Sequence, residues 1–137
     1  MKLENQLVSL ELSIKLDKLG LKEDSLYWHK VPNKKCRNGS VATIVEYPEK
    51  SRWFNYYRAY TGSEIGEILP CFVEKKDRVY WLKHYKEWNT TKGKKYITCA
   101  VTEDSQPGHT LEYFEETEAN SRTKMLIYLL ENNLIKL

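Results

Sequence analysis

Thr117-Glu118-Ala119-Asn120-Ser121-Arg122-Thr123-Lys124-Met125-Leu126-Ile127-Tyr128-Leu129-Leu130-Glu131-Asn132 is the stretch that decides the fold. A threonine before a run of good helix formers can accept a hydrogen bond from a free backbone N–H of the first turn, so Thr117 reads as an N-cap. At about 100° per residue, Ala119, Leu126, Leu129 and Leu130 share one face, which should meet a sheet. Ile127 lies at the border of that face, and Tyr128 lies opposite with Ser121, Lys124 and Glu131. Met125 to Leu130 is apolar at six consecutive positions, although one helix face needs only about half of them. The surplus has two readings: deeper burial within the chain, or contact with a second copy or another protein through Ile127 and Tyr128.

Upstream, residues 78–116 read as a meander that this helix can cover. Strand Val79–Trp88 and strand Tyr96–Val101 are joined by Asn89-Thr90-Thr91-Lys92-Gly93, and Gln106-Pro107-Gly108 turns into strand Leu111–Glu115. On the middle strand Ile97, Cys99 and Val101 alternate, which makes them the expected inward face. Before the meander, Thr61-Gly62-Ser63-Glu64 is a Thr-x-x-Glu capping box. It opens a short helix with Ile65, Ile68 and Leu69 as its stripe, and Pro70 stops it.

The first element is ambiguous by periodicity. Val8, Leu10, Leu12, Ile14 and Leu16 alternate as in a strand, yet Val8, Leu12, Leu16 and Leu19 also form a helical stripe. Gly20 decides for a helix over 10–19 with Ser9 as N-cap, because glycine takes the left-handed position that ends a helix, letting Leu21 reach back to Leu16. Leu26–His29 and Val41–Tyr47 then read as a hairpin, with Tyr56–Tyr60 extended. No repeat or Pro/Gly-rich linker divides the sequence. The expectation is one α+β domain over 1–137: an antiparallel sheet with helices packed on one face, one of them N-terminal and one C-terminal.

Three segments carry a family resemblance: Val8-Ser9-Leu10-Glu11-Leu12 through Lys18-Leu19-Gly20 to Ser25-Leu26-Tyr27-Trp28; Ala59-Tyr60-Thr61 through Glu64-Ile65-Gly66-Glu67-Ile68-Leu69-Pro70; and Thr117-Glu118-Ala119 through Lys124 to Asn132. Together they resemble a group of small uncharacterised proteins encoded by bacteriophages and prophages. The resemblance implies an origin and agrees with the helices read above. It implies no catalytic signature and no mechanism.

The net charge of +3 is unevenly spread. Residues 30–96 hold fifteen Lys/Arg against seven Asp/Glu, while 97–137 hold three against seven. With ten Tyr, four Trp and three Phe, a basic and aromatic middle points to binding partners. Arg78, Lys83, Lys86, Lys94 and Lys95 on the 75–96 hairpin can neutralise phosphates, and Tyr80 and Trp81 offer faces for base stacking. Ordinary sheet packing would use the same residue types.

Chemistry is harder to find. His29, His84 and His109 have no partner at a ligand spacing, so no metal is expected. Cys36, Cys71 and Cys99 are odd in number and form no CxxC, so neither a disulfide framework nor zinc is expected. Cys36, beside Lys34 and Lys35, is the only thiol placed for a lowered pKa. Glu64 and Glu67 are three apart, but the capping box already explains Glu64. No phosphate loop, GxSxG or HExxH is present, so no catalytic residue and no cofactor is expected. No apolar run of about 18 residues is available to span a bilayer, and the start of the chain lacks a secretory apolar segment. A cytoplasmic binding or accessory protein is the expectation, acting on a protein partner or a second copy, or else on nucleic acid.

Overall fold

The computed structural model describes residues 2–36, 39–89, 93–102 and 111–137, with backbone alone at 87–89 and 93–95. The turns expected at 90–92 and 106–108, His109, and residues 37–38 between the two strands of the first hairpin lie outside the described residues. After a short 3-10 turn at Leu3–Asn5 come α1 (Leu10–Lys18), β1 (Trp28–Pro32), β2 (Thr43–Val45), β3 (Phe54–Arg58), α2 (Gly62–Ile68), β4 (Phe72–Lys75), β5 (Arg78–Asn89), β6 (Gly93–Val101), β7 (Leu111–Glu115) and α3 (Glu118–Glu131). All strand pairs are antiparallel, and the expected α+β class holds. The strands divide into two sheets, ordered β2-β1-β3 and β4-β5-β6-β7.

Local chemistry accounts for the ends of the helices. Gly20 has φ +91°, and the Leu21 N–H donates to the Leu16 carbonyl at 3.1 Å, closing α1 as a Schellman turn with both leucines buried. Ser9 occupies the N-cap position of α1 but makes no side-chain cap; its backbone N–H instead donates to Asn120 Oδ1 at 2.8 Å, tying α1 to α3. The α2 capping box is complete: the Glu64 N–H donates to Thr61 Oγ1 and the Thr61 N–H to Glu64 Oε2. On α3 the Asn120 N–H donates to Thr117 Oγ1, so Thr117 is the cap expected.

β4 is an addition to the expected order. It pairs with β5 through a two-residue turn in which Lys76 and Asp77 have φ of 51° and 61°. Such turns are usually announced by Asn-Gly or Asp-Gly, and Lys-Asp gives no such notice.

The orientation of α3 corrects the expectation. Ser121 and Tyr128, expected on the far side, face the larger sheet: Ser121 Oγ lies 2.5 Å from Thr98 Oγ1 on β6, and Lys75 Nζ at the end of β4 donates to the Tyr128 hydroxyl at 3.0 Å. Ala119 and Leu126 point instead toward the other helices. Ala119 abuts Gly62 at the start of α2, and Arg122 donates to the Gly62 carbonyl at 2.8 Å. Ala119, Met125, Leu126, Ile127 and Leu129 are all buried. With the sheet on one side and α1 and α2 on the other, α3 is the central layer, so its wide apolar run is used inside the chain.

The same correction applies to β6. Thr98 and Ala100 face α3, together with Leu82 of β5 and Leu111 and Tyr113 of β7, which pair with them and pack on the core. Ile97, Cys99 and Val101 therefore form the opposite face. Sequence hydrophobicity favours that face, but the helix needs small residues and a hydroxyl partner for Ser121 beneath it.

Candidate functional site

The face of the larger sheet turned away from α3 is built by strand register. Along it Phe72 pairs with Trp81 and Trp81 with Val101; Lys83 pairs with Cys99 and Cys99 with Glu112; Tyr85 pairs with Ile97 and Ile97 with Phe114. Alternation puts all of these side chains on one surface. Ile97 and Cys99 are 1% and 2% exposed at its centre, whereas Phe72, Trp81, Tyr85 and Phe114 are 46%, 40%, 47% and 47% exposed around them. The Phe72 and Trp81 rings are tilted at 51° with centroids 5.4 Å apart, a favourable aromatic arrangement. Four large aromatics thus roof a buried strip and turn their outer surfaces to solvent.

A charged row crosses the centre of this face at Lys83, Cys99 and Glu112. Burial pushes the Cys99 thiol up, the Glu112 carboxylate pushes it the same way, and the Lys83 ammonium opposes both. Lys83 and Glu112 accordingly flank Cys99, as the register requires. A thiol held protonated by burial is a poor nucleophile.

The residues expected to contact nucleic acid are split by the same alternation. Trp81 and Lys83 stand on the open face, whereas Tyr80 packs on the core under α3. Arg78 is exposed beside the Lys76-Asp77 turn. The Lys86 ammonium lies 5.3 Å from the Tyr96 ring centroid on the α3 side. Lys94 and Lys95 pair in register with Trp88 and Glu87, and their side chains lie outside the described residues. Among its described side chains, the hairpin does not gather cations and aromatics on one surface. As for the interface pair, Ile127 is 4% exposed and buried in its own chain. Tyr128 is half-buried, engaged by Lys75 through its hydroxyl and through its ring at 5.5 Å. Neither stands clear of the chain as a free anchor.

The histidines have structural partners. His29 Nε2 lies 2.8 Å from the Val8 carbonyl, and burial lowers its pKa despite that hydrogen bond. His84 Nδ1 lies 3.1 Å from Thr98 Oγ1, and burial of the ring, then the Arg122 charge, lowers its pKa as well. Among the described residues no group of three His, Cys, Asp or Glu could hold a metal ion, and no helix is long and apolar enough to cross a membrane. Compared with family models, with curated proteins and with solved structures, the chain finds no match.

Sequence reasoning missed Phe72, Tyr85 and Phe114 as surface residues, whereas Glu112 is solvent-facing as its setting in the sequence suggests. The signal available was alternation in β5, but Tyr80-Leu82-His84 and Trp81-Lys83-Tyr85 are both rich in large rings. Only the position of α3 tells the covered set from the open one.

Proposed function

We propose that this is an accessory binding protein that associates with a second copy of itself through the open face of β4–β7. The observation that carries the reading is the set of four exposed aromatics on one sheet face, an apolar surface of the kind that marks association sites.

The arrangement of this face favours self-association. A two-fold axis lying in the interface along β6 exchanges β5 with β7. It sets Lys83 of one copy against Glu112 of the other, and Tyr85 against Phe114. The face is therefore complementary to itself, which a symmetric dimer requires. Two sheets packed in this way keep their strands within about 30° of each other and interleave side chains between them. Buried aromatics would supply the adhesion, and the charge row would fix the register.

Sedimentation across a wide concentration range tests the reading. The wild type should show a monomer–dimer equilibrium. Lys83→Glu should weaken it, since it sets like charges together at two symmetric places, and Glu112→Lys should do the same. The double variant Lys83→Glu/Glu112→Lys should restore association by reversing the polarity of the pair. A wild type that stays monomeric throughout, or a double variant as weak as both singles, would overturn the proposal.

A further inference from the structure

Between positions 30 and 58 the chain carries seven Lys/Arg and two Glu, interleaved with Trp53, Phe54, Tyr56 and Tyr57. The smaller sheet sorts these residues. His29 turns toward the body of the protein, where it meets the Val8 carbonyl, so Trp28, Lys30 and Pro32 take the other, outward face. Their partners on β3 are Arg58, Tyr56 and Phe54. On this face cations lie over rings: Lys30 Nζ is 4.3 Å from the Phe54 centroid, and the Arg58 guanidinium is 4.7 Å from that of Trp28. An Arg plane over a Trp ring is itself a surface on which a further ring can stack.

At the Phe54 end this face runs into an open cleft of about 810 Å³. Lys34, Lys35 and Arg52 line it with Trp53, Phe54 and the Ser40 residue. The Asn33 side chain shapes its wall by donating to the Arg52 carbonyl at 2.8 Å and accepting from the Lys35 N–H at 2.9 Å. Trp53 is 49% exposed, and no Asp or Glu is among the described residues that line the cleft. Its volume falls in the range of about 300–1,000 Å³ typical of small-molecule sites.

Three cations with no carboxylate among the described residues that line the cleft select an anion, and an exposed indole among them selects a planar ring. We infer that this cleft binds a nucleotide unit, with its base stacked on Trp53 and its phosphate held by Lys34, Lys35 and Arg52. The same chemistry is offered by a free nucleotide and by one unit of a single strand. A strand has a path onward, over Phe54 and Lys30 to Trp28 and Arg58, which a mononucleotide would not use. The site is distinct from the 75–96 hairpin, whose described cations and aromatics are divided between two faces, and it is independent of the sheet proposed for association.

The experiment measures binding at low salt of AMP, of inorganic phosphate, and of a fluorescein-labelled oligothymidylate of about 15 nucleotides, within the usual single-strand site sizes. Trp53→Ala should weaken the oligonucleotide about five- to hundredfold, the effect of losing one stacked base. Lys34→Ala/Arg52→Ala should weaken it and flatten its salt dependence. Both variants change exposed side chains, and an unchanged melting temperature verifies the fold. Arg78→Ala/Lys86→Ala in the hairpin should leave binding as it was. AMP and the oligonucleotide binding with similar affinity identifies a free nucleotide as sufficient; a clear preference for the oligonucleotide identifies a strand. Absence of binding by both, competition by inorganic phosphate as effective as by AMP, or cleft variants that bind like the wild type would each overturn the inference.

Discussion

At His29 the ring nitrogen Nε2 faces the Val8 carbonyl at 2.8 Å, which only an N–H can satisfy, so the neutral ring is fixed in one tautomer. Burial lowers the pKa, so the unfolded chain binds the proton more readily than the folded one. The resulting stability is present above the usual value of 6.5 and is lost as pH falls toward the folded pKa. Urea midpoints should therefore fall on acidification from pH 7 to 5.5, and less so in His29→Gln. Tyr60 works in the other direction. Its hydroxyl donates to the Glu23 carbonyl at 2.9 Å, and burial pushes its pKa up to about 12. Its contribution is complete below pH 10 and is lost as pH rises through 12. Tyr60→Phe should cost about 1 kcal/mol at pH 7, one hydrogen bond's net worth, while removing this part of the alkaline loss. At Leu126, fully buried between α3 and its helical neighbours, substitution by Ala should cost about 2–5 kcal/mol. A loss well under 1 kcal/mol in a denaturant titration would contradict that position in the core.

Elements were legible where local chemistry announces them. Thr61 and Glu64 declare the start of α2, Gly20 the end of α1, and Thr117 the start of α3, and each makes the backbone contact its type suggests. Removing the α2 cap by Thr61→Ala should cost about 0.5–2 kcal/mol. β4 was illegible because its turn uses Lys76 and Asp77 in the left-handed region, where lysine has no intrinsic preference. Replacing the pair by Asn-Gly, the residues suited to both positions, should stabilise the protein by about 1 kcal/mol. A decrease in the denaturation midpoint would mean that the Lys76 or Asp77 side chain has another role. The faces of α3 and β6 were illegible for a different reason. Leu126 and Ser121 differ in hydropathy, but the helix is covered on both sides, and hydropathy cannot say which cover is a sheet. The candidate site depends on that answer. Cys99 looks like core by alternation and is buried, yet it is buried beneath aromatics that are themselves exposed.

The layers of the whole molecule separate its two proposed surfaces. The larger sheet lies against one side of α3, α1 and α2 against the other, and the smaller sheet joins through β3 on α1. A dimer formed through the open face of β4–β7 therefore leaves the cleft at Trp53 of each copy uncovered. Two such sites on one dimer would act together on a long single strand, because binding at the first raises the local concentration of strand at the second. A strand of several tens of nucleotides should then bind the wild type more tightly than an oligothymidylate of about 15, by more than the number of registers alone provides, with linkage offering up to about 10²-fold or more. Lys83→Glu, which lies on the other sheet, should leave affinity for the short strand unchanged and abolish this length advantage. Lys83→Glu/Glu112→Lys should bring it back. If the advantage persists in a variant shown by sedimentation to be monomeric, the strand is being coated by independent copies and the dimer plays no part in its capture.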